Sequence, residues 1–125
     1  MILLLDAHAL LWWLSDDPGL DATARAAIAD PATDVLVSAA TVWEIGIKRN
    51  LGKLEAPDEL VDAIEASGFD GLPVTLADGD AAARLPSHHL DPFDRMLVAQ
   101  ATRLGAVIVS RDEAFRPYGV DILPA

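Results

Sequence analysis

Short unbroken apolar runs alternate along this chain with longer stretches of helical spacing. Ile2-Leu3-Leu4-Leu5 runs without interruption into Asp6, the pattern of a strand buried on both faces of a parallel sheet. Helical spacing follows from about Ala7 to Leu14. Asp21 to Ala29 is alanine-rich with polar ends and predicts an exposed helix stopping before Pro31. Val35-Leu36-Val37 predicts a second buried strand, after which Ser38 or Thr41 can cap a helix to about Arg49, with Asn50 and Gly52 as stop and turn. Pro57 falls in the first turn of a further helix, about Asp58 to Ala66, with Gly68 beyond its end. Leu72 to Leu76 predicts a third strand, weakened by Pro73, and Asp78 to Leu85 a short helix ended by Pro86. The best helix signal follows: Asp91 as N-cap, Pro92 as first residue, then Phe93, Met96, Leu97, Ala101 and Leu104 on one face, and Gly105 as stop. Ala106 to Val109 predicts a fourth strand and Val120 to Leu123 a short fifth. The alternation predicts an α/β fold, a central parallel sheet of four to five strands flanked by helices, with right-handed crossovers. In such sheets a ligand site lies beyond the C-terminal strand ends, at a switch point.

Length and composition narrow this picture. The 125 residues have room for one core, so a single domain spanning 1–125 is expected, and 52% hydrophobic content argues against disorder. The absence of cysteine excludes disulfides, thiolate zinc sites and a cysteine nucleophile. With 9 Lys and Arg against 20 Asp and Glu, the net charge is −11. Such a chain cannot hold nucleic acid by bulk electrostatics; it needs a local basic patch, a metal ion or a basic partner. Asp6 interrupts the apolar opening and the first basic residue is Arg25, so neither a secretory leader nor a membrane span is expected, and the chain is expected in the cytoplasm.

Four acids fall where a site is expected. Asp6 ends the first strand, Glu44 lies about one helical turn past the second, and Asp112 follows the fourth after Ser110-Arg111. Asp94 sits in the first turn of the helix before strand four and reaches the same rim only if that helix starts there. Together they would form an oxygen-only pocket of the kind preferred by magnesium or manganese, where a cation can activate water and neutralise charge on a phosphate. Each acid also has a structural explanation. Asp6 and Asp112 can cap helical turns, Glu44 stands four residues before Lys48 in the favourable ion-pair order, and Asp94 suits the helix dipole. With 20 acids in the chain, pattern alone does not decide between the two.

The motifs carry a resemblance that does. Leu4-Leu5-Asp6-Ala7-His8-Ala9-Leu10-Leu11-Trp12-Trp13 resembles the opening of PIN-domain ribonucleases of the VapC type, the toxin halves of toxin–antitoxin pairs. Val37-Ser38, Val42-Trp43-Glu44-Ile45-Gly46-Ile47-Lys48 and Gly52-Lys53-Leu54 are similar to the second motif of that family. Leu85-Pro86, His89, Asp91-Pro92-Phe93-Asp94-Arg95 and Ala99-Gln100-Ala101 resemble the third. Val109-Ser110-Arg111-Asp112 resembles the fourth, with Ser110 where Thr is more usual. The match runs in order over nearly the whole chain. It implies a PIN domain and a metal-dependent endoribonuclease with Asp6, Glu44, Asp94 and Asp112 around one or two magnesium or manganese ions. Asp6 and Asp94 would be direct ligands; Glu44 and Asp112 would ligate directly or through water, and Ser110 would hydrogen-bond the site. It further implies a VapB-like antitoxin whose basic arm covers the acidic groove, a homodimer, and an RNA substrate whose identity the sequence does not give.

Lys48, Arg49, Lys53, Arg95 and Arg111 all lie near the motifs and are candidate RNA phosphate contacts; each is equally suited to an ion pair or a solvated surface. Asp91 is assigned to the N-cap rather than to the pocket. His88, His89 and Asp91 fall short of a zinc site, since no further histidine lies near, and His89 is assigned to orienting its loop. His8 is placed in a first helical turn near the site. Trp12 and Trp13 can stack on bases, though core or dimer packing is the commoner use, and Trp43 is expected in the core. Other acidic-site α/β proteins fit less well. A haloacid-dehalogenase-like phosphatase needs an Asp where His8 stands. A receiver domain needs a Lys after the fourth or fifth strand, and none follows Lys53. A dinucleotide-binding turn needs glycines that Asp6-Ala7-His8-Ala9 lacks. A PIN-like binding module without catalysis would need none of the four acids.

Overall fold

The computed structural model describes residues 1–125. Five strands, β1 (Ile2–Leu5), β2 (Asp34–Ser38), β3 (Asp70–Leu72), β4 (Val107–Ser110) and β5 (Ile122–Pro124), form one sheet in the order β3-β2-β1-β4-β5. Every pairing is parallel. Six helices surround it: α1 (Ala7–Leu14), α2 (Ala22–Ala29), α3 (Ala39–Asn50), α4 (Leu60–Ala66), α5 (Leu76–Arg84) and α6 (Pro92–Leu104), with a 3-10 helix at Glu113–Tyr118. This is the α/β architecture that the alternation predicts. No helix is long and apolar enough to cross a membrane.

The apolar run of β1 supplies both layers of the core, because successive side chains in a strand point to opposite faces. Leu3 and Leu5 pack with Val35, Val37, Leu10 and Ile45 on one side. Leu4 packs with Ile108, Leu97, Val98 and Phe115 on the other. All three leucines are fully buried.

Caps set the element boundaries. Ser38, not Thr41, caps α3, its hydroxyl accepting from the Ala40 amide at 3.1 Å. The third strand lies at Asp70–Leu72 rather than Leu72–Leu76. Pro73 has no N–H for a ladder, and Thr75 is used in a capping box with Asp78, each side chain accepting from the other's amide at 3.1 Å. That box starts α5 at Leu76, two residues ahead of the expected position. In α4 the helix starts at Leu60, not Asp58, with no side-chain cap at Glu59; Asp58 instead pairs with Arg49. The last strand starts two residues later and ends one later than expected, at Ile122–Pro124.

The chain winds outward from β1 through β2 to β3, then returns to the other side of β1 as β4 and β5. The switch point is therefore the junction of β1 and β4, fastened by the Asp6 amide donating to the Val109 carbonyl at 3.1 Å.

Candidate active site

A cleft of about 440 Å³ opens at this switch point. Its walls include Asp6, Glu44, Asp94 and Asp112, with Asp91 as a fifth acid. Four separate elements bring the predicted acids together. Asp6 ends β1, Glu44 lies in the second turn of α3, Asp94 in the first turn of α6, and Asp112 just beyond β4. The incoming loop does run along the rim, so α6 starts at the cleft.

The structural explanations of these acids hold, and the same carboxylates line the cleft. Asp6 Oδ1 caps α1 by accepting from the Ala9 amide at 2.8 Å. Asp112 Oδ1 accepts from Ala114 at 2.9 Å, and Glu44 Oε2 accepts from Lys48 Nζ at 2.7 Å. Asp91 Oδ1 takes the Phe93 and Asp94 amides at 2.9 and 3.0 Å, the expected N-cap, while the residue also lines the cleft. A carboxylate has two oxygens. In Glu44, Asp94 and Asp112 only one makes a hydrogen bond within the protein, which leaves the second for a cation or water.

Crowding of carboxylates under partial burial shapes the electrostatics. Burial pushes the Asp6 carboxyl up; the Ser110 hydroxyl, the Ala9 amide and nearby His8 oppose this, and Glu44 adds to it. Burial likewise pushes Asp94 up to about 6, against the His89 hydrogen bond, with the Asp91 and Glu44 charges reinforcing the rise. The Lys48 ammonium is held above its ordinary range by the Glu44 hydrogen bond and by the charges of Glu44, Asp91 and Asp94. Ser110 is buried; its hydroxyl touches Asp6 and accepts from the Asp112 amide at 3.0 Å, so it joins two of the acids. The donors fit a hard divalent cation: oxygen-rich, mutually repelling and open to solvent on one side.

The basic residues divide. Lys48 and Arg111 line the cleft. Arg111 stacks its guanidinium 4.2 Å from the Trp12 ring and donates to the Gly19 and Ala125 carbonyls. Lys53 is exposed beyond the end of α3 and Arg49 pairs with Asp58, both outside the cleft walls. Arg95 turns the other way from the expectation. Its guanidinium donates to the carbonyls of Ala82 (2.8 Å), Leu85 (2.9 Å), Pro86 (3.0 Å) and His89 (3.2 Å), which spends its donors on main chain instead of phosphate. With the Tyr118 hydroxyl, which accepts from the His89 amide at 2.9 Å, it pins the loop leading into α6. His89 does more than orient that loop: its Nε2 meets Asp94 Oδ2 at 2.7 Å.

Trp12 lines the cleft with His8 stacked on it at 5.7 Å, while Trp13 packs against Phe69 at 5.8 Å. Trp43 is not a core residue. It is 66% exposed, its ring edge-on to Phe93, because the face of α3 that buries Thr41, Glu44 and Ile45 turns it outward.

An all-parallel sheet with carboxylates gathered at its switch point defines a class, the acidic-site α/β proteins. The particular family follows from comparison. The family model for the PIN domain matches residues 3–120, and the chain belongs to the PIN domain family, whose members are nucleases. Among solved structures, the chain is similar to VapBC2 from Rickettsia felis bound to a DNA fragment from its promoter, with TM-score 0.72 and 10% identity over 99% of this chain and 98% of that one. DNA-bound VapBC from Salmonella typhimurium gives TM-score 0.70 and 16% identity over 99% and 98%. FitAcB from Neisseria gonorrhoeae gives 0.62 and 19% over 98% and 96%. No curated protein sequence matches the chain significantly.

Proposed function

We propose that this chain is a divalent-metal-dependent endoribonuclease, the VapC-type toxin of a type II toxin–antitoxin pair, acting in the cytoplasm. The observation that carries the reading is the meeting of Asp6, Glu44, Asp94 and Asp112 in one cleft of a PIN domain. Asp6 and Asp94 are the proposed direct ligands of magnesium or manganese, with Glu44 and Asp112 completing the shell directly or through water. The bound ion supplies Lewis-acid stabilisation of the phosphate and a more acidic water. Ser110 holds Asp6 and Asp112 in register. Lys48 tethers Glu44 and, with Arg111, supplies the positive charge that an RNA phosphate needs beside an acidic site. Single-stranded or looped RNA suits a cleft this open, since its backbone can be splayed into it.

The partners follow from charge and surface. A net charge of −11 favours a VapB-like antitoxin with a basic arm across the cleft; the toxin–antitoxin structures similar in fold support this. The homodimer reading is supported by exposed apolar side chains, Trp43 at 66% and Leu76 at 96%. Sedimentation at micromolar concentration should show the dimer; a monomer alone overturns that part.

The central test is thermal unfolding of EDTA-stripped protein titrated with Mn2+ and Mg2+, alongside RNA cleavage, for wild type and Asp94→Asn. The wild type is expected to gain melting temperature with the ion and to cut RNA; Asp94→Asn is expected to stay folded, lose most of the shift and lose cleavage. A wild type indifferent to millimolar ion overturns the reading.

A further inference from the structure

We infer that His89 is itself a metal ligand, making this a mixed nitrogen–oxygen centre in place of an all-oxygen one; the inference rests on the metal-dependent reading above. Three observations carry it. First, His89 Nε2, an Asp94 oxygen and an Asp112 oxygen lie within 4.8 Å of one another. Opposite corners of an octahedron with bonds of about 2.1 Å stand about 4.2 Å apart, so a small contraction seats one ion among all three. Second, Nε2 and Asp94 Oδ2 are 2.7 Å apart, near the roughly 3.0 Å between neighbouring ligands of such an octahedron. This contact is a hydrogen bond, which coordination of an ion by both atoms would replace.

Third, the imidazole is delivered by a fixed support. The His89 amide is held by the Tyr118 hydroxyl at 2.9 Å and its carbonyl by Arg95 at 3.2 Å. The side chain is about three-quarters buried, at 26% exposure. These bonds fix the main chain that carries the imidazole. The other histidines are placed differently: His8 stacks on Trp12, and His88 packs edge-on to Tyr118. A nitrogen ligand changes ion choice. Magnesium favours oxygen, whereas imidazole suits first-row transition ions, so His89 should bias the centre toward the latter.

The 125-residue chain loaded with Mn2+ alone provides the test. Pulsed electron paramagnetic resonance is expected to show nitrogen-14 modulation from a directly bound imidazole. The signal should persist in His8→Gln and vanish in His89→Gln. By titration calorimetry, His89→Gln should lower the Mn2+ over Mg2+ affinity ratio, because it removes the nitrogen donor that suits the transition ion. Manganese bound by the wild type without nitrogen modulation overturns the inference and leaves the proposed function standing. A wild type that binds neither ion overturns both. The wild-type spectrum decides the matter even if His89→Gln fails to fold.

Discussion

Asp91 shows how one side chain can be tested for two roles. Its Oδ1 caps α6 while the residue lines the cleft. An amide retains the cap and removes the charge, so Asp91→Asn should keep the wild-type melting temperature, whereas Asp91→Ala should lose about 1 kcal/mol in urea titration. A loss of RNA cleavage in Asp91→Asn at unchanged stability would place this fifth acid in the chemistry. The four predicted acids were legible in the sequence because the resemblance to PIN-domain motifs picked them out of 20 acids, which pattern alone did not. The contact between His89 and Asp94 was not. It depends on a loop held by Arg95 and by Tyr118, which lies far along the chain, and no local pattern encodes such a meeting. For the same reason the inward turn of Arg95 could not be told from a phosphate contact: a lone Arg beside an acidic motif serves either use.

Between elements, α5 and α6 are joined by a buried charge. Asp78, 1% exposed, bonds Arg103 at 2.7 and 3.0 Å and caps its own helix. The Arg103 hydrogen bonds hold its carboxyl down at about 2, with the Thr75 and Gln100 contacts helping against burial. A carboxylate depressed in the folded state stabilises it above the unfolded value, near 3.9, and that contribution is lost as pH falls toward 2. Melting temperature should therefore fall over that window in the wild type, and less in Asp78→Asn. Removing the side chain, Asp78→Ala, should cost about 2 kcal/mol at neutral pH through its lost hydrogen bonds, measured by denaturant titration. Arg95→Ala should cost about 2 kcal/mol by freeing the loop into α6. Helices α1, α2 and α6 were legible almost to the residue, because their caps and stops are chemically explicit. The third strand was not: Leu72 and Val74 invite a strand, and only the reciprocal Thr75–Asp78 box shows that the chain has already turned into α5.

For the molecule as a whole, the sheet order decides where chemistry can happen; the alternation of apolar runs predicted a parallel sheet with a site beyond its C-terminal strand ends, but not the order of its strands. What the pattern could not supply was the outer surface, including the exposed Trp43 beside Phe93. Four carboxylates held in one cleft store repulsion that a cation relieves, so the binding of metal should couple to global stability. At a hundredfold excess of ion over its dissociation constant the gain is about 2.7 kcal/mol. For a domain of this size that is a rise in melting temperature of about 10 °C, visible by scanning calorimetry.

The central position of β1 also bears on how the protein is made. Leu3 pairs with Val35 on one side and with Val107 on the other. The second pairing closes a loop of about a hundred residues, a slow step because the closure entropy is lost before the contact forms. On the ribosome, Asp6 and Glu44 emerge well before Asp94, Asp112 and the strand that fixes Asp6. A partly made chain has the acids without the cleft. Under the proposed function, a nascent chain that has not yet added β4 cannot cut the RNA around it, and this delay gives an antitoxin its first opportunity to bind.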